Sequence, residues 1–285
     1  MRIAFFTAGT VGLGHAVRGL AIARALRRRG CEASFRIFSP IPAPADHEWA
    51  EQELVRIVPA ELDDPRCARE TELARSLLAY KPDLLIVDLF WAPLRHIRPA
   101  LSCEAWLLLR YVPLWWFAGS RHRSFVRAQF TRIFALEPLV RWPDAEPLDP
   151  VVISNPEECQ PRGSLRERLG LAPDRRLVVA MQAGRPGEAL RLGGGPDCVR
   201  WDSSLPSYPF PAAEWLGDAD EILSGTGYNS FWEAVWLGYA SRVRFVPFPR
   251  SIDDQRRRLN LGQPWRMSKN GADVLAACIT GRQSH

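Results

Sequence analysis

Three stretches carry residue types that could do chemistry. Gly9-Thr-Val-Gly-Leu-Gly14-His15 follows the apolar run Arg2–Thr7 and precedes Ala16–Arg29, where Val17, Leu20, Ala21 and Leu26 keep helical spacing. This places His15 at a helix N-terminus behind a glycine turn, at the carboxyl end of a strand, where doubly wound folds bind ligands. The helix dipole disfavours imidazolium, so the ring stays neutral and can accept a proton, as a general base must. A plain capping role would explain His15 equally well. Gly9, Gly12 and Gly14 do not have the spacing of a dinucleotide fingerprint, and no acidic residue closes the second strand near position 38. Nicotinamide binding is therefore disfavoured.

The second stretch, Ser224-Gly-Thr-Gly-Tyr-Asn-Ser-Phe-Trp-Glu233, joins a buried strand to a helix. Unpaired N–H groups at such a start suit an anion, so a diphosphate fits over Gly225, Thr226, Gly227 and Asn229. Glu233 follows Asn229 by one turn on the same face, placed to accept two hydrogen bonds from a ribose diol, although a solvated helix glutamate would look no different. The third stretch, Pro247–Gln255, ends in Asp254-Gln255, an acceptor and a donor side chain suited to sugar hydroxyls. It reads equally as a helix start capped by Ser251 or Asp253. Asp218-Ala-Asp220 has metal-binding spacing but precedes a strand, and is read as structural; no metal site is expected.

The elements that must position these groups alternate between strand and helix. Cys31–Phe38 and Asp83–Asp88 read as strands and Arg69–Tyr80 as a helix; further strands fit Ala105–Leu109 and Arg132–Leu136. Asp88 ends a fully apolar strand and is a candidate either to orient His15 or to cap the next element. Between Pro138 and Pro173 prolines and charges thicken, without the periodicity of a core element, and the linker is expected there. The plan restarts at Arg176–Met181, with a second glycine loop containing Gly184 and Gly187. The pattern predicts an α/β protein with two Rossmann-like domains, residues 1–150 and 151–285.

A chain of 285 residues with 47% hydrophobic content supports two cores. The net charge of +5 rests almost wholly on arginine, since Lys81 and Lys269 are the only lysines, and no nucleic-acid recognition signature accompanies it. The six cysteines are scattered without C-x-x-C spacing and read as reduced thiols. No signal peptide is recognisable, and the apolar stretch Leu101–Gly119 is broken by Glu104 and Arg110, so a cytoplasmic location is expected. Trp115, Trp116 and Phe117 fit an apolar or membrane-proximal acceptor, and ordinary core packing equally well.

Gly12-Leu-Gly-His15-x-x-Arg18, the Gly184–Gly187 loop, Gly225-Thr-Gly-Tyr-Asn-x-x-x-Glu233-Ala234, and Pro249 leading into Asp254-Gln255 resemble GT-B glycosyltransferases. The likeness is to the branch of the lipid II UDP-N-acetylglucosamine transferase and the diacylglycerol sugar transferases. It implies a cleft between two Rossmann-like domains. The second domain would hold a nucleotide-sugar donor, a UDP-sugar in that branch, with Glu233 on the ribose, Gly225–Asn229 near the diphosphate, and Asp254 with Gln255 on the sugar. The acceptor, lipid-linked or apolar in that branch, would lie beside His15 near the inner membrane surface, and no metal or other cofactor would be needed. The chain departs from the family in length. Glu188–Pro211 is brief, so the second domain is expected to be short, and little chain remains after Cys278 for a terminal helix that crosses back. Two alternatives stay open: a nucleotide-sugar hydrolase of the pseudaminic acid pathway type, with His15 activating water, and a non-catalytic nucleotide-sugar-binding module.

Overall fold

Strand β1 (Arg2–Phe6) and helix α1 (Gly14–Arg28) begin the chain as its periodicity predicts, and β2 (Ser34–Ser39) and β3 (Glu51–Leu54) follow. The computed structural model describes residues 1–285 except 11, 45–46, 114–125, 127, 183, 186, 194–198, 203–208, 262–265 and 282–285. Trp115, Trp116 and Phe117 lie outside the described residues. Helices α2 (Pro59–Asp63) and α3 (Glu72–Tyr80) lead to β4 (Leu84–Asp88), β5 (Glu104–Leu109), β6 (Arg132–Ala135) and β7 (Glu146–Pro147). These seven strands form one parallel sheet, ordered β3-β2-β1-β4-β5-β6-β7.

Alternation along β1 sends Ile3 and Phe5 to one face and Ala4 and Phe6 to the other, and both faces are covered. On the first face α1 supplies Leu20 and Leu26; on the second α3 supplies Leu73 and Leu77. The chain runs outward from β1 to β3, then returns to β4 on the other side of β1. The crevice between β1 and β4 is therefore the switch point at which open parallel sheets take ligands.

The second half is smaller. After α4 (Ser164–Arg168) come β8 (Val178–Gln182), the single-turn α5 (Glu188–Arg191), β9 (Val199–Asp202), β10 (Glu221–Gly225), α6 (Tyr228–Trp236) and β11 (Val243–Val246). Its parallel sheet is ordered β11-β10-β8-β9, with a switch point between β8 and β10. Helix α7 (Gln255–Leu259) and helix α8 (Gly271–Gly281) complete the described elements.

Within Pro138–Pro173, where the linker is expected, β7 joins the first sheet and Val151, Val152 and Ile153 are buried in its core. One expectation changes. The residues after Cys278 are few, yet α8 does cross back: Ala272, Leu275, Ala276 and Ile279 share the core that contains α1, and Asp273 accepts from Arg28 at 2.7 Å. Eleven residues suffice, because α8 is apolar on the side that meets α1 and needs no reach beyond it. No helix among the described residues is long and apolar enough to cross a membrane.

Candidate active site

A cavity of about 320 Å³ lies where the two switch points face one another. The first half contributes the loop after β1 and the start of α1, with Gly9, Gly12, Gly14, His15 and Arg18. The second contributes the loop after β8, with Gly184 and Arg185, the start of α6, with Gly227, Asn229 and Glu233, and the segment Arg250–Asp253 with Gln255. Neither α1 nor α6 has a capping side chain or an acidic residue in its first turn. Two helix N-termini thus present free N–H groups and positive dipole ends to one space.

His15 is nearly buried, and its Nδ1 lies 2.5 Å from Asp88 Oδ2. Asp88 is fully buried at the end of β4. Its other partner is Arg18, one turn after His15, which donates from Nε to Oδ1 at 3.0 Å and from Nη2 to Oδ2 at 2.8 Å. Burial alone would raise the Asp88 carboxyl, but Arg18 and then His15 overrule it and hold it well below the usual carboxylate range. An ionised carboxylate only accepts, so the His15 Nδ1 carries the proton and Nε2 keeps its lone pair. Arg18 Nη2, 2.8 Å from the same ring nitrogen, directs its own proton to Asp88. Burial pushes the imidazole down to about 4, although Asp88 pulls it upward. The ring is therefore neutral at physiological pH for a stronger reason than the helix dipole. It packs so closely on Gly9 that a Cβ there would stand 2.4 Å from His15 Cδ2.

The opposite wall carries Glu233, whose carboxylate has neither a hydrogen bond nor an ion pair among the described residues. Burial, and then the charge of Glu214, push its carboxyl up to about 7. Asn229 ties the walls together, donating to the Gly14 carbonyl at 3.1 Å and accepting from Arg18 Nη1 at 3.1 Å. Behind it, Tyr228 is buried, and its hydroxyl donates to the Leu136 carbonyl and accepts from the Val151 N–H.

The structure gathers His15, Gly14, Gly184, Gly227, Asn229, Glu233 and Gln255 around the cavity, with Asp88 directly behind His15. Four sequence candidates lie elsewhere. Asp254 is exposed and caps α7, accepting from the Arg257 N–H at 3.3 Å, while its neighbour Asp253 turns inward. The expected cap therefore shifts by one residue, because helix geometry requires an acceptor three positions before Arg257. Gly225 is held in the sheet opposite Val246; Thr226 is buried, its carbonyl accepting from Arg258; Gly187 stands in an exposed turn at φ 81°.

Asp218 and Asp220 are structural. Asp218 accepts from the N–H groups of Gly163 and Leu165, and Asp220 from the N–H of Leu177 and from Arg166. No cluster of potential metal ligands occurs among the described residues.

Sequence reasoning missed Arg110, immediately after β5, and Asp253. Arg18 stands in the Gly12–Arg18 motif, and the sequence alone assigns it no role. The rule that functional groups follow the carboxyl ends of parallel strands would have found Arg110. A basic residue one helical turn after His15 was the corresponding signal for Arg18.

Two Rossmann-like α/β units facing across a cleft make this the GT-B fold. The chain is similar to UGT2 of Phytolacca americana complexed with UDP-2-fluoro-glucose and pterostilbene, at 16% identity and a TM-score of 0.54, covering 98% of this chain and 89% of that one. It is similar to MurG of Acinetobacter baumannii at 16% identity and a TM-score of 0.50, covering 99% and 91%. It is also similar to a Listeria monocytogenes protein assigned as a UDP-N-acetylglucosamine 2-epimerase, at 11% identity and a TM-score of 0.54, covering 100% and 88%. No protein-family model and no curated protein matches the sequence.

Proposed function

We propose that this chain is a glycosyltransferase that moves a sugar from a UDP-sugar to an acceptor hydroxyl, with His15 as general base and without a divalent metal. One observation carries the reading: a neutral imidazole with a carboxylate-fixed tautomer shares a cavity with an uncapped helix N-terminus and an unpaired carboxylate. Structural likeness to proteins whose names specify UDP-sugars supports the choice of donor. Because the epimerase assignment accompanies the same fold, fold alone does not select transfer.

In this reading the diphosphate lies over Gly227–Asn229, where the α6 dipole and free N–H groups stabilise the charge that develops as the donor bond breaks. Glu233 accepts from the ribose hydroxyls. The Gln255 carbonyl oxygen already accepts from the Phe248 N–H, so its amide donates to the sugar. On the other wall, His15 Nε2 takes the acceptor's proton as the acceptor oxygen bonds to the anomeric carbon. The bond from that carbon to the diphosphate oxygen breaks, and its electron pair leaves with UDP. Asp88 steadies the imidazolium formed in that step, as a buried carboxylate does in other base dyads.

Thermal shift against a panel of nucleotide-sugars tests donor binding, since a ligand of the folded state raises apparent stability with occupancy. Transfer by the parent protein, abolished in His15→Ala with donor affinity retained, supports the enzyme. Stoichiometric release of free sugar without an acceptor would make the same dyad a water activator and the chain a hydrolase. Donor binding without turnover across donor and acceptor panels would leave only a binding module.

A further inference from the structure

Arg110 is 7% exposed, lines the cavity on the His15 side and follows the carboxyl end of β5. Three other guanidiniums nearby are engaged. Arg18 is paired twice with Asp88; Arg258 is bidentate to Glu137, at 2.9 and 3.1 Å; Arg250 is bidentate to Glu188, at 2.6 Å on each side. Arg110 is different. It makes no hydrogen bond among the described residues, and its Nη1 is buried without one. Its nearest carboxylate oxygen, Asp253 Oδ1, is 3.4 Å from Nη1, whereas the same oxygen lies 2.6 Å from Arg258 Nη2.

A guanidinium taken from water without hydrogen-bond partners is costly and is ready to accept an anion that supplies them. With such an anion bound, Asp253 Oδ1, itself buried without a hydrogen bond, would keep its closer ion pair to Arg258 Nη2 at 2.6 Å. The position also decides which substrate is met. Arg110 belongs to the His15 wall with Phe90, while the uncapped N-terminus proposed for the diphosphate belongs to α6. Arg110 is also close enough to His15 for its charge to help keep the imidazole unprotonated.

We infer that Arg110 recognises an oxyanion, phosphate or carboxylate, on the acceptor, so that the second substrate is an anionic alcohol. This deepens the transferase reading and rests on it. Guanidinium forms two parallel hydrogen bonds to such groups, which would fix the acceptor's orientation as well as its charge.

The test uses the whole chain with inorganic phosphate as probe, titrated by calorimetry with and without saturating UDP. Phosphate should bind the UDP-saturated protein, and Arg110→Gln should weaken it at least tenfold with UDP affinity unchanged within twofold. Arg110→Lys, which keeps the charge but not the two parallel hydrogen bonds, should bind phosphate less tightly than the parent and more tightly than Arg110→Gln; thermal unfolding of both variants checks that the fold persists. The inference is overturned if Arg110→Gln binds phosphate as the parent does, or if the UDP-saturated parent shows no saturable phosphate site. A tenfold loss of UDP affinity in Arg110→Gln also overturns it, by assigning Arg110 to the donor diphosphate. If the parent binds no UDP, the transferase reading fails separately, and the phosphate titration without nucleotide still decides whether Arg110 holds an oxyanion.

Discussion

His15 and Glu233 face one cavity from opposite walls, and burial moves them in opposite senses, to about 4 and about 7. Both shifts disfavour the charged form, yet the surroundings differ. The His15 wall supplies a full set of partners, with Arg18 neutralising Asp88 and Asp88 fixing the ring. The Glu233 wall supplies none, and the nearest influence, Glu214, has the same sign. A group whose partners are already in place is organised for chemistry on arrival of a substrate. One left without partners is organised to gain them from a ligand, at a cost to the empty protein.

The contrast is broken most directly at the imidazole. His15→Ala should lower turnover by about a thousandfold or more, with nucleotide affinity unchanged within twofold by calorimetry. Equal losses in both would show that the walls do not divide chemistry from binding. In the parent, turnover should fall as pH drops through about 4, where Nε2 takes a proton.

Glu233→Gln sharpens the other side. It should weaken UDP-sugar binding about tenfold to a hundredfold while stabilising the empty protein at pH 8. The folded-state pKa of about 7 lies above the ordinary 4.5, so the folded chain holds this proton more tightly than the unfolded one. The associated stability is full below 4.5 and lost as pH rises through about 7. The glutamine variant should thus match the parent at pH 4.5 and exceed it by about 2 kcal/mol at pH 8, read by chemical denaturation. His15 acts oppositely: its folded value is depressed from 6.5, so its contribution is present above 6.5 and lost as pH falls towards about 4.

Gly9→Ala should reduce turnover about tenfold by displacing the ring its Cβ would meet, with donor affinity retained. Arg24→Ala leaves chemistry alone and tests the tie between the halves. Arg24 pairs with Glu158 at 3.1 Å and Glu214 at 2.5 Å, and its loss strands a buried carboxylate, costing about 3 kcal/mol by thermal or chemical unfolding. The smallest effect should be that of EDTA, which is expected to change turnover less than twofold if helix dipoles and N–H groups serve the diphosphate as proposed.

What the sequence made legible follows from burial. The inner strands β1, β4, β5, β8 and β10 are apolar because both faces are covered, and their periodicity announced them. The strands that escaped notice, β3, β7 and β9, are all at sheet edges, where short and polar sequences such as Glu51-Gln-Glu-Leu54 suffice. At the site, His15, Asn229 and Glu233 were readable because they follow glycine-bearing turns at strand ends. Asp253 was not, because the choice between two adjacent aspartates depends on where α7 starts. The isolation of Arg110 was also hidden, since a lack of partners is a property of three-dimensional packing.

The chain leaves the first sheet at Asp149–Pro150 and returns at Gly271, whose N–H donates to the Pro150 carbonyl at 3.0 Å. A side chain at Gly271 would collide with the Asp149 carbonyl, its Cβ 2.0 Å from that oxygen. Departure and return thus share one doorway. Excising the intervening polypeptide would leave two ends already adjacent, whereas pivoting it would also break the bonds of Asn229 to Gly14, Tyr228 to Leu136 and Arg258 to Glu137.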